Sequence, residues 1–228
     1  MGGVKKEKAV RPRIPLSIRD MDTRPIAEAY NKIISKAPHS IFARKILKLG
    51  VREGKTLDIA CGPGHLLISL SKFAPKLELH GLDISPNMLK IAEENLERKE
   101  LGKKIKLYLG SAYDMPFEDS TFDLVVNTNT LHCLENPKKF FDEFIRVMKP
   151  GGAGLILAYS RDTSRWLRSL GYLNTRYLAW RKIPLDGMGP LIDASYTSEE
   201  IESYLKQCPL TKWQIKKSIF LMTILLQK

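Results

Sequence analysis

Apolar positions along the chain alternate between strand-length runs and helical faces. Leu57 to Ala60, Leu77 to Leu82, Ile105 to Leu109, Phe122 to Val126 and Ala153 to Tyr159 read as strands. Helices fall between them: Leu66 to Phe73, stopped by Pro75; Pro86 to Lys99, with Ser85 as N-cap and Met88, Leu89, Ala92 and Leu96 inward; and Pro137 to Met148, before a Lys149-Pro150-Gly151-Gly152 turn. Two helices precede the first strand. One starts at Thr23 and Pro25 and carries Ile26, Tyr30, Ile33 and Ile34 on one face. The other is capped by Ser40, carries Ile41, Phe42, Ile46 and Leu47, and ends at Gly50. Strands alternating with helices predict an α/β protein with a doubly wound, mostly parallel sheet. The C-terminal end differs. Thr197 to Leu205 is a helix opened by a capping box, with Glu200 three residues after Thr197. Trp213 to Ser218 and Phe220 to Leu226 are too closely connected for a crossover, so they form an antiparallel hairpin.

The first strand carries Asp58 and turns into its helix through Gly62-Pro63-Gly64. Two glycines there bring bare backbone and a helix N-terminus close to a ligand. Asp83, 19 positions past Gly64, ends the second strand, where an acid of a βαβ nucleotide fold accepts from ribose hydroxyls. A dinucleotide fits poorly. The third glycine of its fingerprint would fall at Leu67, and Asp58 would repel a pyrophosphate. Asp58 instead suits a ligand with an ammonium and a sulfonium. Read alone, a carboxylate capping the turn is the alternative.

The stretches 58–64, 81–92, 110–126 and 131–152, in this order and spacing, resemble the motifs of the class I S-adenosylmethionine-dependent methyltransferases, from about Tyr30 to Ser160. That resemblance implies a seven-stranded sheet of order 3-2-1-4-5-7-6 with its last strand antiparallel, and S-adenosylmethionine as cofactor. Asp58, Gly62 and Gly64 would shape the methionine end, and Asp83 would hold the ribose. Ile84 and Met88 would cover the adenine. Ser111 and Ala112 follow the third strand, Ser111 standing where many relatives carry an acid for the adenine amine. Asn127 and Thr128 would lie under the sulfonium, and Tyr30, on a helix over the cofactor, would contact cofactor or substrate; a packing tyrosine is the alternative. The loop 127–130, Asn-Thr-Asn-Thr, lacks the Asn-Pro-Pro-Tyr-type sequence of amino-group methyltransferases that act on adenine or glutamine. His132 is the foremost candidate base, followed by Tyr159, Asp162 and Tyr30; His132 packing against the cofactor is the alternative.

Composition adds three constraints. A chain of 228 residues that is 43% hydrophobic can bury one sizeable core and a small cap. No run is long enough to span a bilayer, residues 1–8 lack the apolar core of a leader, and Lys6 breaks a myristoylation pattern. Three cysteines without metal-ligand spacing predict no metal and a cytoplasmic setting. The net charge of +12 points to an anionic partner or to a lysine-rich surface.

The domain division that follows is a disordered basic tail over 1–15 and a single domain over 16–228, with 160–196 inserted as a substrate cap. The cap is rich in arginine and aromatic residues. Trp166, Leu170, Leu173, Tyr177 and Trp180 share a helical stripe that Gly171 interrupts, and Pro184, Gly187, Gly189 and Pro190 mark a loop. The expected acceptor is a small molecule, anionic or lipid-like. The competing readings are a basic-aromatic segment lying on a membrane, an RNA substrate, and a non-catalytic cofactor-binding scaffold.

Overall fold

The computed structural model describes residues 12–14, 22–183 and 187–228. Most of the expected basic tail, residues 1–11 and 15, and Pro184 of the expected loop lie outside the described residues. Seven strands form one sheet: β1 (Glu53–Ile59), β2 (Lys76–Asp83), β3 (Ile105–Leu109), β4 (Phe122–Thr128), β5 (Met148–Tyr159), β6 (Lys212–Lys217) and β7 (Leu221–Gln227). Their order is β3-β2-β1-β4-β5-β7-β6, parallel except for β7, which runs antiparallel to both its neighbours. The reversal between β1 and β4 opens the crevice at the carboxyl ends of the strands where such sheets take ligands.

Each face of the sheet has its own core. Leu57, Ile59 and Val125 pack with Phe140, Phe141 and Phe144 of α5 (Pro137–Val147) and Ile201 and Leu205 of α8 (Ser198–Leu205). On the other face, Leu79, Leu124 and Val126 meet Ala43 and Ile46 of α2 (His39–Leu47), Leu67 and Leu70 of α3 (His65–Phe73), and Leu89 and Leu96 of α4 (Pro86–Glu97). Each fully buried phenylalanine or leucine contributes about 1.5–3 kcal/mol. Gly81 lies beside Asp58 in the β1–β2 register, and a Cβ there would come within 2.7 Å of Leu67 Cδ1 and 2.8 Å of Cys61 Sγ. Its lack of a side chain lets α3 and the glycine loop settle on the sheet.

The expected capping box of α8 is present, Thr197 accepting from the Glu200 amide and Glu200 from the Thr197 amide. Four local expectations are corrected. Lys149-Pro150-Gly151-Gly152 is not a turn before the fifth strand but part of β5, whose pairing with β4 shifts register between Phe122 and Leu124. α2 begins at His39 because Pro38, not Ser40, closes its first turn: the Pro38 carbonyl accepts from Ile41 and Phe42. Gly171 does not interrupt α6 (Arg165–Trp180); it is buried where a Cβ would press on the Gly189 backbone at 3.3 Å. The marked loop contains a helix, α7 (Met188–Ala194). Pro190 is tolerated in its first turn, where no helical amide bond is lost, and Gly189 gives the Tyr172 ring room to approach.

Candidate active site

β1 is followed by Ala60 at φ 55°, a left-handed conformation that costs an alanine about 1–2 kcal/mol, and the chain turns through Gly62 (φ 52°) and Gly64 (φ 79°) into α3. Asp83, at the tip of β2, supports this loop. Its Oδ2 accepts from the Gly62 amide at 2.8 Å and its Oδ1 from the Ser85 amide at 2.9 Å. A carboxylate has about four acceptor sites, so beside these amides and that of Ile84 it keeps capacity for a ligand. Burial pushes the Asp83 carboxyl upward against the lowering effect of those amides, and nearby Asp22 adds to the rise.

Asp58 differs. It is 0% exposed and neither carboxylate oxygen has a partner. Burial, reinforced by Asp83, raises its pKa well above the ordinary value. Asn127, paired in register with Ile59, donates to the Ile59 carbonyl at 2.8 Å, leaving its own Oδ1 unpartnered. Eight buried side-chain polar atoms lack a partner among the described residues, and four belong to Asp58, Asn127 and His132. Three of these four are acceptors at the ends of adjacent strands, a set that fits a ligand bringing positive charge and N–H donors. An α-amino group and a sulfonium meet that requirement.

His132 sits in a short 3-10 turn, Leu131–Cys133, after β4. It is 5% exposed, its Nδ1 is unpartnered, and burial, with Arg13 adding to the effect, lowers its pKa to about 4. Its ring meets that of Tyr159 edge-on at 5.8 Å. Tyr30, on α1 (Arg24–Ile34), closes the same space from above, its Cε1 lying 3.8 Å from where a Gly62 Cβ would stand. Burial, then Tyr159, Asp83, Cys133 and Asp58, push the Tyr30 phenol upward, which places these groups around one chamber. Burial likewise raises Tyr159. At neutral pH the chamber therefore presents a neutral imidazole and two neutral phenols.

The roof is latched by residues that the sequence pattern did not single out. Asn31 Oδ1 binds His65 Nε2 at 2.7 Å and accepts from Asn95 at 3.1 Å, while Asn95 also donates to the Pro63 carbonyl at 2.9 Å. Asp22 accepts from Ser85 Oγ at 2.5 Å. A cavity remains between Tyr30, His39, Ala60, Gly62, Thr128 and Thr130. Arg13 was placed in the expected tail, yet its guanidinium donates to the carbonyls of Ala194 (2.7 Å), His132 (2.8 Å) and Leu134 (2.9 Å) and stacks on Tyr196. Only the arginine itself signalled this role; its partners lie more than a hundred positions away.

Gly64 and Thr128 stand at the loop and at the tip of β4, with Thr128 half-buried. Met88 is half-buried, while Ile84 is 57% exposed. Ser111 and Ala112 follow β3, and Ser111 Oγ accepts from the Tyr113 amide at 3.1 Å, so its oxygen serves its own turn first. Asp162 is not free to act as a base: it accepts from the Ser198 amide and hydroxyl, and from Lys217 at 3.0 Å. Trp166, Leu170, Leu173, Tyr177 and Trp180 are all exposed. Among the described residues, no group of three or more His, Cys, Asp or Glu side chains could hold a metal ion.

This sheet order, glycine loop and acid at the tip of β2 define the Rossmann-like methyltransferase fold. Residues 57–156 match the Methyltransferase domain family. A demethylmenaquinone methyltransferase of Staphylococcus aureus is 38% identical over 136 residues, which cover 58% of this chain and 55% of that protein, so the match spans about half the length of this curated relative. An S-adenosylmethionine-dependent methyltransferase structure from Methanococcus maripaludis superposes over 100% of this chain and 97% of its own, with TM-score 0.73 and 22% identity. Phosphoethanolamine N-methyltransferase 2 of Haemonchus contortus, solved with S-adenosylmethionine, covers 88% of this chain and 46% of its own, with TM-score 0.65 and 23% identity. The chain thus carries a Methyltransferase domain match over residues 57–156 and has the fold of S-adenosylmethionine-dependent methyltransferase structures.

Proposed function

We propose that the protein transfers a methyl group from S-adenosylmethionine to a small, lipophilic acceptor bearing a hydroxyl-activated carbon or oxygen. The observation that carries the cofactor half of this reading is the pair of unpartnered Asp58 oxygens in a fully buried setting. They would receive the α-amino group, the glycine loop would follow the methionine backbone, and the free acceptor sites of Asp83 would take the ribose hydroxyls. Met88 and Ile84 would flank the adenine, with Ala112 and the Ser111 hydroxyl at its edge. Asn127 Oδ1 and Thr128 would lie beneath the reactive end. When bound, the cofactor supplies a methyl group on a sulfonium, already activated for in-line displacement.

What the chain adds is alignment and exclusion of water. Tyr30, His132 and Tyr159 form an aromatic, uncharged wall suited to a planar apolar ring. His132 is neutral above about pH 4 and can accept a proton from an acceptor hydroxyl, and Tyr159 would steer that hydroxyl toward it. The similarity to a demethylmenaquinone methyltransferase supports a quinol-like acceptor. The test is transfer of labelled methyl from S-adenosylmethionine to a short-tailed demethylmenaquinol, with phosphoethanolamine alongside. Label in the quinol fraction alone supports the reading. Label in phosphoethanolamine alone sinks the acceptor assignment.

A further inference from the structure

Six of the twelve exposed large apolar side chains among the described residues lie on one helix, α6. Five of them, Trp166, Leu170, Leu173, Tyr177 and Trp180, recur at intervals of three or four. At 3.6 residues per turn they fall within an arc of roughly 80°. The two tryptophans are 69% and 74% exposed. The opposite side of α6 is anchored: Arg168 and Tyr172 both bond to Asp193 of α7, and Gly171 packs on Gly189. The apolar arc therefore points away from the protein by construction, because turning it inward would break this link.

Charge identifies what the arc meets. Arg165 and Arg176 lie on one edge of it and Arg181 on the other, all exposed, and among the described residues no carboxylate pairs with them. The helix contains no Asp or Glu. Two copies packed arc to arc would bring these arginines together, which disfavours a symmetric dimer. Leu170 and Leu173 at the centre offer nothing for bases to stack on, which disfavours RNA. A helix with tryptophan, leucine and tyrosine on one face and arginines along its edges suits the headgroup–acyl boundary of a bilayer, the guanidiniums reaching back to phosphates. No helix among the described residues is long and apolar enough to cross a membrane.

We infer that α6 is an interfacial helix that docks the protein on anionic phospholipid membranes. Through Asp193, α7 and the Arg13 bridge to the His132 carbonyl, the docked helix is linked to the catalytic chamber. This deepens the lipophilic-acceptor reading and rests on it only for its purpose, since docking is measured without turnover.

The test is sedimentation of the full chain with vesicles of phosphatidylcholine containing about one third phosphatidylglycerol. It is run at low salt and at about 1 M salt, where the screening length falls to about 3 Å. Brominated lipids in the same vesicles should quench the Trp166 and Trp180 fluorescence. Expected are binding at low salt, at least about tenfold weaker binding to neutral vesicles, and a further tenfold or greater loss in Leu173→Glu and in Trp166→Ala/Trp180→Ala. S-adenosylhomocysteine affinity serves as the folding control and should be unchanged in both variants. Absence of low-salt binding, or binding that both variants retain, overturns the inference. So does a wild-type dimer that Leu173→Glu converts to monomer, or RNA binding lost in the same variant. Vesicle binding without transfer to a quinol would sink the acceptor reading and leave the docking intact; transfer without vesicle binding would do the reverse.

Discussion

Replacing Asp58 with asparagine should move the stability of the free protein and its cofactor affinity in opposite directions. Asp58 is fully buried, both its oxygens lack partners, and Asp83 lies near enough to oppose its ionisation. An unpaired buried ion carries an effective penalty of several kcal/mol, part of which is avoided by holding a proton. Asparagine removes the charge at equal size, so the free variant should gain about 1–3 kcal/mol at neutral pH. For a chain of this length that is roughly 2–4 °C in Tm per kcal/mol. The sign with pH follows from the raised pKa. A carboxyl whose folded pKa lies above its unfolded value of 3.8 destabilises the native state once pH rises above 3.8, and fully so above the folded pKa. The gain of Asp58→Asn over the wild type should therefore shrink as pH falls toward 4. Cofactor binding should weaken, because breaking a buried charge pair costs about 3–5 kcal/mol, offset by the relief just described. The net is about 2–3 kcal/mol, or some 30- to 150-fold in Kd. Differential scanning calorimetry across pH and isothermal titration with S-adenosylmethionine and S-adenosylhomocysteine measure both. A variant less stable than the wild type without ligand, or one that binds both ligands unchanged, would refute the reasoning.

Other perturbations test neighbouring parts of the account. Asp83→Asn exchanges one acceptor for a donor facing the Gly62 or Ser85 amide, so it should lose about 1.5–3 kcal/mol of stability and weaken cofactor binding at least about tenfold. Thermal melts and titration read the two effects, and unchanged cofactor affinity would remove the ribose assignment. His132 has its pKa lowered from 6.5 to about 4, so below pH 6.5 the unfolded chain takes a proton that the folded one refuses. Relative to His132→Gln, the wild type should lose up to about 3 kcal/mol between pH 6.5 and 4. Urea denaturation at stepped pH checks this, and parallel stability curves would contradict the buried neutral imidazole. Arg13→Ala removes three hydrogen bonds to carbonyls and should cost about 2 kcal/mol, or roughly 4–8 °C in Tm. An unshifted Tm would show that the Arg13 bridge is not formed in solution.

Local signals carried most of the fold. Strand-length apolar runs, the glycines after β1, the acid ending β2 and the Thr197–Glu200 box each specify local geometry through nearby residues, and all stand where the pattern puts them. Legibility failed where distant partners decide. Gly189 and Pro190 look like breakers, yet Tyr172 packs on the one and the first turn of α7 tolerates the other. The α6 periodicity reveals an apolar face but not its direction, which Asp193 fixes from another helix. Ala60 adopts a glycine-like φ with no glycine to announce it. Asp58, Asp83 and Tyr30 were legible as candidates, but the unpartnered state of Asp58 and the Asn31–His65–Asn95 latch exist only in the assembled fold.

The most direct test of the central claim is calorimetric titration of the wild type with S-adenosylmethionine, S-adenosylhomocysteine and NAD in parallel, at two pH values and in two buffers of different ionisation enthalpy. The account predicts micromolar binding of the first two and none of NAD. At the lower pH it also predicts more proton release on binding from the wild type than from Asp58→Asn, because an incoming ammonium lowers the raised Asp58 pKa. Binding of NAD alone, or of none of the three, would contradict it.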